Sequence, residues 1–213
     1  MIAIDILVFN SFSVNTYILS DENGDCIIID PACHSKKEKQ ELIDFIEKDE
    51  LTPLRIINTH THIDHIMGNR FLADKYNLIP ESHKNGQLFL EIAVESGYRF
   101  GMVVDDPPKK VKFIDEKEKI KSGNIELEVL YTPGHADGSV CLLSRDEKFV
   151  IVGDVLFNGS IGRTDILTGS IEVLKNSIKT KLFTLPDNFI VYPGHGPETT
   201  IGFEKMNNPF LKD

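Results

Sequence analysis

Residues 55–69 read R-I-I-N-T-H-T-H-I-D-H-I-M-G-N, with three histidines, His60, His62 and His65, inside six positions and Asp64 among them. An apolar run at 54–57 leads into the cluster and is expected to be a strand. Residues two apart point the same way in extended backbone but cannot share a face of a helix. His60 and His62 therefore suit one ion, while Asp64 and His65 follow a turn and suit a neighbour, with a helix expected from about Ile66. Three imidazoles packed without a cation would repel when protonated and waste polar atoms when buried. Neutral imidazole and carboxylate donors suit zinc, iron or manganese.

Two donors per ion are too few, and the rest of the chain offers more in matching contexts. His135 follows the run 125–130, Asp154 follows 149–152, and His195 follows 189–192. If these strands share an orientation, their ends converge on one edge. Both L-E-V-L-Y-T-P-G-H (127–135) and N-F-I-V-Y-P-G-H (188–195) end in Pro-Gly-His after an apolar run.

Further apolar runs at 2–9, 14–19, 26–29 and 140–143 read as strands bounded by turn residues. Helical spacing appears at 37–48 and 171–183, and more weakly at 66–77 and 86–95. The chain is thus mixed α and β (α+β), without the strict alternation of a doubly wound sheet. Residues 115–123 read as a solvated hairpin or loop. Residues 96–112 read as a surface excursion in which Tyr98 and Arg99 are candidates for a lid.

At 213 residues the chain is expected to form a single domain over 1–213. Its formal charge of −10 argues against nucleic acid as a partner, since such binding rests on neutralising phosphates. No apolar run is long enough to span a bilayer, so no membrane partner is expected. Three cysteines, Cys26, Cys33 and Cys141, with no C-x-x-C pair, suit a reducing compartment, and a cytoplasmic location is expected.

In order along the chain, T-H-T-H-I-D-H (59–65), T-P-G-H (132–135), G-D-V-L-F (153–157) and Y-P-G-H (192–195) resemble the motifs of the metallo-β-lactamase superfamily. The likeness runs from the first strand, through I-I-I-D-P-A (27–32), to P-G-H-G-P-E-T (193–199). It implies an αββα sandwich, two mixed sheets face to face with helices outside. It also implies a ligand split: His60, His62 and His135 on one metal, Asp64, His65 and His195 on the other, and Asp154 bridging. Asp30 is a candidate for orienting a ligand imidazole.

Position 154 is Asp where many true β-lactamases carry Cys, which speaks against antibiotic hydrolysis. The run G-D-V-L-F-N-G-S-I-G-R-T-D (153–165) resembles glyoxalase II-like thioesterases and persulfide dioxygenases. Few residues follow His195, so the short, single-domain type of hydroxyacylglutathione hydrolase is expected. Ala32, Ala136 and Asp137 depart from the usual family residues without touching a ligand. The resemblance implies a hydrolase with two divalent metal ions, zinc first, iron or manganese as alternatives. Asp64 and Asp154 would be catalytic as ligands of the metals that activate water. The expected substrate is a small anionic glutathione thioester such as S-lactoylglutathione, with Arg163 contacting its carboxylate. The alternatives are a persulfide dioxygenase with one iron and a metal-binding protein without turnover.

Overall fold

Ile27, Ile28 and Ile29 are all buried, and successive side chains of this run enter different cores. Ile27 and Ile29 face the space between two sheets, while Cys26 and Ile28 face a helix layer. A strand covered on both faces needs no polar alternation, which is why the run is continuously apolar.

The computed structural model describes residues 2–212. The first sheet runs in chain order through β1 (Ala3–Phe9), β2 (Val14–Ser20), β3 (Asp25–Ile29), β4 (Thr52–Ile57), β5 (Glu81–His83) and β6 (Lys112–Ile114). Its first pairings are antiparallel, and those from β3 onward are parallel. The second sheet contains β7 (Lys119–Ser122), β8 (Ile125–Tyr131), β9 (Val140–Ser144) and β10 (Phe149–Gly153). A small hairpin, β11 (Leu156–Phe157) with β12 (Ser160–Ile161), follows β10. β13 (Ile190–Pro193) then pairs parallel to β10, and β14 (Thr199–Thr200) closes that side.

Helices cover both outer faces. Leu42, Ile43 and Ile46 of α1 (Lys36–Lys48) pack on the first sheet. A capping box fixes the start of α1: Ser35 accepts from the Glu38 amide and Glu38 accepts from the Ser35 amide. α2 (Ile63–Ile66), α3 (Asn69–Tyr76), α4 (Gln87–Glu91) and α5 (Ala93–Arg99) lie between β4 and β6 in the chain. Leu174 of α6 (Ile171–Ser177), Ile178 and Leu182 of the π turn that continues it, and Ile201 of α7 (Ile201–Asn207) cover the second sheet. The expected αββα sandwich is thus present.

Three local expectations shift. The helix after the histidine cluster begins at Ile63 and not near Ile66, so Asp64 and His65 sit in its first turn. Residues 115–123 do include one arm of a hairpin, β7 with β8, but that arm is not solvated throughout, because Ile120 alternates into the inter-sheet core. The helical spacing at 171–183 is split between α6 and the π turn. No helix is long and apolar enough to cross a membrane among the described residues.

Candidate metal centre

Strand polarity brings the donors together. β8 and β10 both run antiparallel to β9, and β13 runs parallel to β10, so all three end at the same edge of the second sheet. His135, Asp154 and His195 follow those ends, and the loop after β4 delivers His60, His62, Asp64 and His65 from the first sheet. His62 is the N-cap of α2, with extended backbone, so the turn falls between His60 and His62 on one side and Asp64 and His65 on the other.

Four of the five imidazoles are fixed through their outer nitrogen. His65 Nδ1 donates to Asp30 Oδ2 at 3.1 Å, and His60 Nδ1 to Thr59 Oγ1 at 3.2 Å. His135 Nδ1 donates to the Arg163 carbonyl and His195 Nδ1 to the Phe12 carbonyl, each at 2.9 Å. These bonds leave four Nε2 atoms turned inward. His62 is turned the other way and presents Nδ1, 2.9 Å from His135 Nε2. Fixing the outer nitrogen sets the tautomer and aims the lone pair, as metal sites require.

Donor atoms of His60, His62 and His135 lie within 4.8 Å of one another, and so do those of Asp64, His65 and His195. Asp154 stands between the groups. Its Oδ2 is 3.7 Å from His135 Nε2 and 3.4 Å from His195 Nε2, and its Oδ1 is 3.4 Å from His65 Nε2. Asp30, His60 and His65 also form a close trio. The oxygens of Asp30, however, already accept from the Thr59 amide, the Thr59 hydroxyl and His65.

The residues fit a pair of cations. His60 Nε2 and Asp154 Oδ1 are buried without a hydrogen-bond partner, a costly arrangement that a coordinated ion relieves. The bond from His135 Nδ1 leaves His135 Nε2 as an acceptor, and it faces His62 Nδ1 at 2.9 Å, close enough for both nitrogens to serve one cation. Gly194 makes room: a Cβ there would collide with Asp154 Oδ1 and His65 Cε1.

Electrostatics divide the donors. Burial, then the nearby His65 and His62 imidazoles, hold His60 well below its ordinary range. Burial and His135 push His62 down to about 3. His195 goes the other way: burial opposes its proton, but hydrogen bonds to Asp154 and Asp64 raise it to about 10. His65 is likewise raised, burial being outweighed by the charges of Asp154 and Asp64. A cation held by Asp64, His65 and His195 would take the place of these protons as counter-charge.

A cavity of about 420 Å³ opens onto the donors. Its lining includes Arg163, the expected substrate contact, and Arg99 from the predicted lid; Tyr98 is 64% exposed. Arg163 is engaged with Asp165 by two bonds of 2.9 Å, and Arg99 with Glu95 at 2.7 Å. Several residues with a role here carry no motif: Phe12, Phe89 and Phe100 in the cavity wall, and Asn10, whose side chain donates to the Ala32 and Asp64 carbonyls. Thr59 is also new, although a hydroxyl directly before a motif histidine was visible in the sequence.

Comparison with known proteins agrees with this geometry. The metallo-beta-lactamase superfamily pattern matches residues 10–195. Hydroxyacylglutathione hydrolase GloC of Haemophilus influenzae is 36% identical over 210 residues, covering 98% of this chain and 97% of that protein. Among solved structures, BLEG-1 B3 metallo-beta-lactamase superposes with a TM-score of 0.91 at 32% identity, covering 99% of this chain and 100% of that one. TTHA1623 in a di-iron-bound form gives 0.88 at 31% identity, covering 97% and 100%. With its motifs in order, its donors at one sheet edge and its sandwich shared along nearly the whole length, the chain belongs to the metallo-β-lactamase superfamily.

Proposed function

We propose that this chain is a dinuclear metal-dependent thioesterase, with hydroxyacylglutathiones such as S-lactoylglutathione the leading substrates. His60, His62 and His135 would hold one cation, Asp64, His65 and His195 the other, with Asp154 shared. Two divalent cations in that position supply a water that ionises near neutrality and a Lewis acid for the acyl oxygen.

One observation carries the thioester reading. Apart from the proposed ligands, the ionisable side chains lining the cavity are Arg99 and Arg163. Neither can give up a proton at neutral pH, so the site offers its leaving group no acid. A thiolate departs unaided, because the conjugate base of a thiol of pKa about 8.5 is only a weak base. An amide nitrogen, as in a β-lactam, would need protonation. The same arginines favour an anionic substrate, and the likeness to GloC supports a glutathione carrier. The aromatic wall of Phe12, Phe89 and Phe100 limits access of bulk water.

The inter-sheet core draws on both sheets, which supports reading 1–213 as one domain. Buried, unbridged cysteines support the cytoplasm as its location. The deciding experiment purifies the protein anaerobically, counts metals and assays S-lactoylglutathione and glutathione persulfide in parallel. Two divalent metals per chain with thioester hydrolysis are expected. One iron per chain, with dioxygen consumed on the persulfide and the thioester untouched, would replace this reading by a dioxygenase. Full metal with neither activity would leave a binding protein.

A further inference from the structure

Gly194 and Gly196 flank His195, so no adjoining side chain packs to fix that stretch of backbone. His195 is also the open member of its group, with 26% of its side chain exposed where that of His65 is wholly buried. The frame that holds it comes from the other sheet. Asn15, at the start of β2, is buried. Its backbone amide donates to the Gly194 carbonyl at 2.8 Å. Its side-chain Nδ2 donates to the carbonyls of Pro193 at 3.0 Å and Gly196 at 2.9 Å, with a longer contact of 3.3 Å to Tyr17 Oη. An amide nitrogen has two hydrogens, and the two shorter bonds spend them on either side of His195. Tyr17 Oη adds a bond of 2.6 Å to the Pro193 carbonyl, and Val14 pairs with His195 as an antiparallel bridge. The Phe12 carbonyl holds the imidazole itself.

The other arm of the same turn reaches Asp64. Asn10, in the left-handed region at φ 54, donates from Nδ2 to the carbonyls of Asp64 at 2.9 Å and Ala32 at 3.0 Å. Its Oδ1 accepts from the Phe12 amide at 2.9 Å, which ties the two arms together. Asp64 enters the site on α2, after β4 of the first sheet, and His195 on the loop after β13 of the second. Residues 10–15 hold both, and none of the bonds named here reaches His60, His62 or His135.

We propose that the turn from β1 into β2 is a bracket that sets the spacing of Asp64 and His195, with Asn15 the positioning residue for His195. It governs the second cation and not the first. The proposal rests on the ligand split of the dinuclear reading and not on its substrate. Asn15 acts through the backbone on either side of His195 and touches none of the donor atoms.

Stepwise titration of the stripped protein with zinc, followed by calorimetry, tests the bracket. His62→Ala and His195→Ala mark which step belongs to which group. Asn15→Ala deletes both side-chain bonds and is expected to weaken the second step about tenfold or more, with the first step at its parental affinity. In a His195→Ala background the same change should leave the remaining metal's affinity unaltered, because effects that run through one residue do not add. A general loosening of the fold would lower both steps and would persist in that background. Asn10→Asp tolerates a positive φ, loses both donated bonds and should show the same selectivity from the Asp64 side, so the bracket is tested even if Asn15→Ala does not fold. Both steps weakened equally in the folded variants, or neither weakened, overturns the bracket. A parent that takes up a single metal overturns the dinuclear reading and the bracket with it. A parent with two metals and no thioester hydrolysis overturns the substrate reading alone, and the titration still decides the bracket.

Discussion

Asp30 Oδ2 lies 3.1 Å from His65 Nδ1 and 2.6 Å from Thr59 Oγ1, so a single buried carboxylate reaches both donor groups. It holds His65 of the second group directly and His60 of the first through the Thr59 hydroxyl. Its other oxygen accepts the Thr59 amide at 2.7 Å. Asp30 itself sits in the left-handed region, at φ 49, where the chain leaves β3.

Asp30→Asn tests this shared role. Asn tolerates a positive φ, so the backbone survives. One carboxylate oxygen becomes an amide N–H, which cannot accept from His65 or from Thr59. Loss of such an orienting partner typically weakens metal affinity about 10–100-fold. Competition against a chelator is expected to show both metals weakened. Parent-like affinity for both would remove Asp30 from the site.

Thr59→Val should separate the two groups. It deletes the hydroxyl between His60 Nδ1 and Asp30 while leaving the direct Asp30–His65 bond. The metal of the His60 group is expected to weaken and the other to stay, with Thr59→Ser restoring both. Stepwise metal titration reads this out. Equal weakening of both metals would mean that the hydroxyl serves the loop as a whole.

The ligand assignment makes an unequal prediction for single substitutions. His62→Ala should deplete the first metal and His195→Ala the second, while Asp154→Asn should weaken both, because an amide carries no charge to offset two dications. Metal content of the purified variants is the measurement. If His62→Ala and His195→Ala lose the same ion, the split is wrong.

Much of this site was legible because metal chemistry writes short patterns. His60, His62, Asp64 and His65 fall within six positions, and His135, Asp154 and His195 each follow an apolar strand. The cavity was not legible. Phe89, Ile92 and Ile166 are ordinary apolar residues with no motif around them, and only the packing of α4, α5 and the loop after β12 turns them toward the donors. Helix onset at Ile63 was missed because His62 caps α2 without a side-chain bond, giving no Ser, Thr, Asp or Asn signal. Arg163 was found as a cation beside the site, but its pairing with Asp165, two residues on, is a rotamer choice that no pattern reports.

Acid should uncouple the cavity wall from α1 through Glu38. Its carboxylate accepts from the amides of Asn10, His34 and Ser35, at 2.7, 2.9 and 2.8 Å. Burial raises its pKa, but those three amides outweigh it and hold the group below its ordinary value. A depressed folded-state pKa means that the stabilisation is present above the unfolded value and disappears as pH falls through the folded one. Glu38→Gln should therefore be less stable than the parent at neutral pH, and the two should converge in acid below about pH 4. Denaturant melts of both proteins in chelator, across that range, check it. A gap that persists at low pH would assign the loss to packing.

Arg163 carries the most specific prediction. Its guanidinium makes two bonds to Asp165, both side chains being largely exposed, and such pairs contribute little to stability. The guanidinium can therefore exchange Asp165 for a substrate carboxylate at small cost. Its backbone carbonyl, which holds His135 Nδ1, is untouched by a side-chain change. Arg163→Ala should raise KM for a glutathione thioester roughly two- to fivefold, with metal content unchanged and a carboxylate-free thioester unaffected. Asp165→Ala should act in the opposite direction, lowering KM, because it removes the competitor. A rise in KM in both variants, accompanied by metal loss, would show that the pair holds the loop beneath His135 and does not meet the substrate.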